Sequence, residues 1–438
     1  MGVRRRLVAL AAALGVAAGV FAVAVTGGGV ASAAVACSGT VWREGPLYTA
    51  GQQVTYNAHL YQALVTHTAY AGTGWNPAAT PTLWRDLGTC TGGPTTPPPT
   101  TTPPPTTPPP TTTPPTTTSP PVGCAVRGKP AGKVLQGYWE NWDGASNGVH
   151  PGLGWIPIND SRITQHGYNV LMAAFPVIRS DGTVLWENGM DAGVKVPTAA
   201  EICAAKASGA TILMSIGGAT AGVDLSSSAV ADRFVATIVP ILRQYNFDGI
   251  DIDIETGLTG SGSINQLSTS QANLIRIIDG VLAAMPANFG LTMAPETAYV
   301  TGGSVTYGSI WGSYLPIIKK YLDNGRLWWL NMQYYNGSMY GCAGDSYGAG
   351  TVQGFTVQTQ CLNNGLTIQG TTIRIPYDKQ VPGLPAQPGA GGGYMTPALV
   401  TQAYNSVPGI KGLMTWSINW DGSKAWTFGD NVKRLQGR

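Results

Sequence analysis

Three carboxylates, Asp251, Asp253 and Glu255, alternate with Ile250, Ile252 and Ile254 in the run Phe247-Asp248-Gly249-Ile250-Asp251-Ile252-Asp253-Ile254-Glu255. In a strand, residues i, i+2 and i+4 share a face. The acids therefore stack on one face and the isoleucines pack on the other. Like charges this close resist ionising together, so at least one acid is expected to keep its proton near neutral pH. A protonated carboxyl beside ionised ones suits general acid catalysis. A calcium loop is a competing reading of D-x-D-x-E, but it needs Gly at its sixth position and Glu at its twelfth. Counted from Asp251, those places hold Thr256 and Gly262. A solvated acidic edge strand is the other, and three Ile spacers, which demand a buried far face, speak against it.

The elements that must hold this strand lie between Cys124 and Arg438. Strand candidates are Val134–Trp139, Asn169–Phe175, Thr211–Ile216, Gly249–Glu255, Gly290–Ala294, Trp328–Tyr334, Thr371–Ile375 and Gly412–Ser417. Helical stretches lie between several of them. Thr198-Ala199-Ala200-Glu201 has capping-box form, and Leu274, Ile275, Ile278, Val281 and Leu282 follow helical spacing. This alternation predicts an α/β fold, a (β/α)8 TIM barrel. An open doubly wound sheet is the alternative, but no G-x-G-x-x-G follows the first strand. In a barrel the acids face the interior, with Glu255 at the C-terminal mouth where active sites of this fold sit. Trp139, Glu296 in Met293-Ala294-Pro295-Glu296, Gln333 with Tyr335, and Trp416 fall at matching strand ends.

Ahead of this domain, residues 91–122 are nearly all Thr, Pro and Gly. Such a segment builds no core and is expected to be an extended spacer. About 30 residues at roughly 3.1 Å each span on the order of 90 Å. Before it lies a module from Cys37 to Cys90, too small for a self-sufficient core without a disulfide. Gln53–Tyr56 and His59–Leu64 read as strands split by a tight turn at Asn57-Ala58. Trp42, Tyr48, Tyr56, Tyr61, Tyr70, Trp75 and Trp84 crowd this module. Each serves either as core or as a platform for flat apolar faces.

The chain opens with Arg4, Arg5 and Arg6, an apolar run from Leu7 to Val25, and Ala31-Ser32-Ala33. That is the form of a secretory signal over 1–33, removed on export. A retained anchor is the competing reading, because the apolar run approaches spanning length. Without those three arginines, 22 basic residues (25 less 3) balance 22 acidic ones. A near-neutral chain excludes a nucleic-acid footprint, and its 13 Trp and 18 Tyr suit a neutral ligand stacked on rings. In an exported chain six cysteines pair. Cys37 with Cys90 and Cys342 with Cys361 are the expected bridges, and Cys124 with Cys203 follows by elimination. No C-x-x-C occurs and there are four His, so neither metal nor cofactor is expected.

Asp248, Asp251, Asp253 and Glu255 reproduce the D-x-x-D-x-D-x-E pattern of glycoside hydrolase family 18, the chitinase family. Ser215-Ile216-Gly217-Gly218 resembles that family's third-strand S-x-G-G. Met332-Gln333-Tyr334-Tyr335-Asn336 is similar to the sixth-strand block of its bacterial and plant-type branch, and Trp416 matches the eighth-strand tryptophan. The small module resembles chitin-binding modules of carbohydrate-binding families 5 and 12, from Trp42 through Tyr48-Thr49-Ala50-Gly51 and Trp75-Asn76-Pro77 to Trp84. Many members carry a Trp-Trp pair where this chain has Leu64-Val65.

The resemblance implies a mechanism without a protein nucleophile, in which the substrate's own N-acetyl carbonyl attacks the anomeric carbon. Glu255 would protonate the glycosidic oxygen. Asp253 would orient the acetamide and share a proton with Asp251. Tyr335 would hydrogen-bond the acetamide, Trp416 would floor the pocket, and Ser215 would support the aspartates. Gln333, Asn336, Glu296, Met293 and Trp139 are further candidates for substrate contact. For Gln333 and Asn336 a structural role is the equal alternative. Asp248 reads as structural. Trp42, Tyr70, Trp75 and Trp84 are the module's candidates for chitin.

Only 36 residues separate Ile375 from Gly412, so the domain that some family members insert before the last strand has no room. An open cleft and internal cleavage are expected of a secreted, monomeric enzyme acting on chitin and N-acetylglucosamine oligomers. The rivals are an endo-β-N-acetylglucosaminidase acting on N-glycans and a non-catalytic chitin lectin. The appended module argues against the first, and Glu255 argues against the second.

Overall fold

Eight buried parallel strands carry the large domain of the computed structural model, which describes residues 35–37, 39–43, 46–64, 67–68, 76–78, 84–91, 124–144, 150, 153–219 and 222–438. They are β1 (Val134–Glu140), β2 (Val170–Ala174), β3 (Thr211–Gly218), β4 (Gly249–Ile254), β5 (Gly290–Met293), β6 (Trp329–Leu330), β7 (Gly383–Pro385) and β8 (Gly412–Trp416). Their order in the sheet is β6-β5-β4-β3-β2-β1-β8-β7. Parallel bridges Leu330 to Gln380 and Gln333 to Gly383 join β6 to β7. Val381 N donates to Leu330 O at 2.9 Å and Gly383 N to Met332 O at 2.8 Å, which closes the barrel.

Two apolar layers follow from strand alternation. Ile250, Ile252 and Ile254 face outward into the layer shared with the helices. Val134, Tyr138, Met172, Leu213, Trp329 and Met414 fill the interior. The helix Ala199–Ala207 starts on the expected capping box of Thr198 and Glu201. Thr269–Ala284 starts on a second, made by Ser268 and Gln271. That helix buries Leu274, Ile277, Ile278, Val281 and Leu282, whereas Ile275 is only half-buried.

The seventh strand corrects the sequence reading. Thr371–Ile373 pairs antiparallel with Leu366–Ile368 in a hairpin, and the barrel strand is Gly383–Pro385. β-Branched Thr371, Thr372 and Ile373 have the stronger local strand propensity. Pro382 and Pro385 disguise the true strand, because proline argues against a central strand position. Met414 packs closely over Gly383, where a Cβ would lie 2.2 Å from its Cε and oblige that side chain to shift.

Disulfides join Cys37 to Cys90, Cys124 to Cys203 and Cys342 to Cys361. The chain divides into two compact units, residues 1–113 and 114–438. In the first, Gln53–Tyr56 and His59–Ala63 form the expected hairpin, turned by Asn57 and Ala58 at positive φ. Tyr48, Val54, Tyr61, Ala63 and Trp84 are its core. Trp84 is 1% exposed, so it holds the module together and is not a binding platform. Trp42 is half-buried, its ring edge-on to Tyr56 at 5.2 Å. Tyr70 and Trp75, the signal segment and the linker beyond Thr91 lie outside the described residues. Among the described residues no helix is long and apolar enough to cross a membrane.

Candidate active site

The C-terminal end of β4 delivers the acids in three different environments. Asp251 is fully buried and accepts four hydrogen bonds. Tyr138 Oη and Ser215 Oγ donate to Oδ2 at 2.7 and 2.8 Å. Thr292 Oγ1 and Asn331 Nδ2 donate to Oδ1 at 2.6 and 3.1 Å. Burial holds Asp251 above the usual carboxylate range, partly offset by these bonds. Asp253 is 4% exposed. Burial, then the charges of Glu255 and Asp251, push its carboxyl well above the usual range. Glu255 stands at the mouth, and burial raises it as well.

Gln333 ties the two outer acids together. Its Nε2 lies 2.9 Å from Asp253 Oδ1, 2.9 Å from Glu255 Oε1 and 3.1 Å from Ala294 O. Gly217 at the end of β3 has φ +111°, and a Cβ there would sit 2.1 Å from Asp253 O. Gly217 thus lets β3 press against the acid strand.

A cavity of about 170 Å³ lies over these groups, lined by Asp253, Glu255, Gln333, Tyr335, Asn336 and Trp416 among others. Tyr335 is 6% exposed. Trp416 is half-buried and stacks on Phe175 with centroids 6.0 Å apart at 15°. Asn336 is exposed at the rim with φ 62°, its Oδ1 accepting from Gly392 N at 2.7 Å. Glu296 is half-buried, its carboxyl raised by burial and by Glu255. A second hollow of about 460 Å³ shares Phe175, Gly218, Ala219 and Trp416 with the first and adds Asn141, Trp142 and Asp191. Trp142 stacks on Phe175 at 6.5 Å. A hollow of about 570 Å³ beside Lys129, Lys133 and Lys411 precedes β1 and β8 at the opposite end of the barrel, away from the acids.

Of the expected contact residues, Ser215 and Glu296 do not line the cavity, and Trp139 and Met293 face away from it. Trp139 is wholly buried in the outer layer, its Nε1 donating to Ile156 O at 3.0 Å. Met293 likewise packs outside, while Thr292 beside it faces the acids. Both errors are of parity. Strands buried on both faces show no alternation that marks the inner one. Ser215 lies beneath the cavity on Asp251. Tyr138, Thr292, Asn331, Trp142 and Phe175 carry no signal in the sequence that joins them to the acids, since no spacing along the chain links them to β4. Asp248 serves the frame: its carboxylate accepts from Arg127 N at 2.6 Å and Ile212 N at 2.8 Å and pairs with Lys206 at 2.6 Å.

Among the described residues no group of His, Cys, Asp or Glu is placed to hold a metal ion. A parallel (β/α)8 barrel with stacked acids under an aromatic-floored cavity at its C-terminal mouth defines a glycoside hydrolase. Residues 134–336 match the model of glycosyl hydrolases family 18, and residues 41–85 match carbohydrate-binding module family 5/12. The chain belongs to glycosyl hydrolases family 18. It is 82% identical over 309 residues to Endochitinase 37 of Trichoderma harzianum, an alignment covering 70% of this chain and 92% of that protein. It is 79% identical over 311 residues to Endochitinase 4 of Metarhizium robertsii, covering 71% and 90%. A family GH18 chitinase from Chromobacterium violaceum superposes with a TM-score of 0.61 at 31% identity, covering 92% of this chain and all of that one.

Proposed function

We propose that this protein is a secreted, endo-acting chitinase that cleaves β-1,4 bonds between N-acetylglucosamine units. The observation that carries the reading is Glu255. It is an acid whose pKa burial raises, at the mouth of a barrel, beside a deeper carboxylate and an aromatic floor. The similarity to two proteins named endochitinases supports it.

Glu255 gives its proton to the glycosidic oxygen as the bond to the anomeric carbon breaks. The carbonyl oxygen of the sugar's own N-acetyl group forms a bond to that carbon, giving a cyclic oxazolinium. Asp253 faces the acetamide N–H and stabilises the positive charge, passing its shared proton to Asp251 below it. Tyr335 orients the acetamide and Trp416 stacks under the sugar. Water then adds to the anomeric carbon, returns a proton to Glu255 and leaves the β-anomer. Trp139 and Met293 have no part in this.

The connection from β7 to β8 is residues 386–411, with one helix, Pro397–Ser406. Its Ala390 lines the cavity, but the connection is too short for an inserted domain that would deepen the cleft, which favours internal cuts with little processivity. The 37–90 module holds the enzyme on insoluble chitin through the 91–122 tether, raising its effective concentration there. Export follows from the 1–33 signal, and the enzyme works as a monomer. A lectin or an N-glycan enzyme is not favoured, because Glu255 is present and a chitin-type module is appended.

The test is hydrolysis of chitin hexasaccharide by the intact protein and by Glu255→Gln, with products and anomers resolved. Short β-anomeric oligomers from the wild type and near silence from the variant are expected. An intact hexasaccharide would overturn the reading.

A further inference from the structure

The ladder between β4 and β5 stops one step before the catalytic acid. Ala294 N donates to Ile252 O at 2.9 Å, the last rung. In a continued parallel ladder Ile254 N would donate to Ala294 O, and Ile254 O would accept from Glu296 N. Neither partner is used. Ile254 N donates instead to Tyr314 Oη at 2.9 Å, and Tyr314 Oη donates back to Ile254 O at 2.8 Å. One hydroxyl thus replaces the neighbouring strand on both sides of the residue before Glu255. A buried peptide group must find such a partner, and a hydroxyl can donate and accept at once.

Two consequences meet at the site. The strands splay, so Ala294 O is released and accepts from Gln333 Nε2, the amide that also holds Asp253 and Glu255. The next carbonyl is held in the same way, with Tyr299 Oη donating to Glu255 O at 2.5 Å. Tyr299 and Tyr314 pack edge-on, centroids 6.0 Å apart at 89°. Tyr314 is wholly buried, so it touches no substrate.

We propose that Tyr314 is a positioning residue for the acid: its hydroxyl separates β4 from β5, aims Glu255 and frees the carbonyl that anchors Gln333. The inference rests on the proposed chitinase reaction. Removing the hydroxyl lets Ile254 N return to Ala294 O, and Gln333 loses its anchor.

The experiment uses the full chain and chitin hexasaccharide, with Tyr314→Phe, Gln333→Ala and the double variant. Tyr321→Phe is the control, a buried tyrosine whose hydroxyl bonds Asp279 at 2.8 Å on the helix layer, away from the cavity. Tyr314→Phe is expected to lower kcat about 10-fold with KM moved less than about 2-fold, as for a residue acting through geometry. The double variant should fall little below Gln333→Ala alone, because both act through one amide. Tyr321→Phe should lose comparable thermal stability and keep its kcat. A Tyr314→Phe enzyme with wild-type kcat, or losses that simply multiply, would overturn the inference and leave the chitinase reading standing. A wild type that leaves the hexasaccharide intact would overturn both.

Discussion

Gln333 Nε2 donates to Glu255 Oε1 at 2.9 Å, so a residue just past β6 tunes the proton affinity of the acid just past β4. That bond favours the ionised carboxylate and lowers its pKa against the upward push of burial. In Gln333→Ala, Glu255 should keep its proton to higher pH. The basic limb of kcat/KM is therefore expected to move upward while the plateau falls. A pH–rate profile on chitin hexasaccharide checks both, and an unmoved limb would separate Gln333 from the acid.

Glu255→Gln should lower kcat about 10³-fold while the fold stays intact, within the usual worth of general acid catalysis. Asp253→Asn should also lose most activity, because the amide carries no negative charge to face the oxazolinium. Binding of hexasaccharide to both variants, measured by tryptophan fluorescence, is expected to persist.

Asp253 also makes a stability prediction. Its folded pKa lies above its unfolded value, by burial first and then by Glu255 and Asp251. Below the unfolded pKa both states are protonated and no penalty applies. As pH rises from the unfolded towards the folded pKa, the unfolded state ionises first and stability is lost. Asp253→Asn removes that loss. Its Tm should exceed that of the wild type at neutral pH and converge with it in acid.

Trp416 and Trp142 both stack on Phe175, 6.0 and 6.5 Å away, and line the joined hollows. Trp416→Ala should lower kcat/KM at least 10-fold, roughly 1.4 kcal/mol, by removing the floor under the reacting sugar. Trp142→Ala should weaken the hexasaccharide more than the disaccharide, since it lines only the larger hollow. Equal losses on both substrates would count against an extended cleft there.

Lys206 and Asp248 form a buried ion pair, 3% and 0% exposed. Asp248→Ala strands the lysine and should cost about 3–5 kcal/mol of stability. The kcat per folded molecule should hold, which a denaturant titration and an active-fraction assay would show.

What the sequence alone determined is local. The D-x-D-x-E run beside Ile250, Ile252 and Ile254 fixed the parity of β4, because charge and hydrocarbon cannot share a face. The Thr198 and Glu201 box and the Asn57-Ala58 turn are similarly short-range, and both appear where expected. What only the tertiary structure decided is which residues from other strands meet those acids. Tyr138 was interior and Trp139 exterior, yet both are buried and apolar enough for either side. Gly383–Pro385 is a strand because closure between β6 and β8 demands one there, against its own propensity. Tyr314 reaches Ile254 across 60 residues through a gap that exists only once β4 and β5 have packed. Spacing along a chain encodes one face of one element. Convergence at a barrel mouth is set by closure, which no single element carries.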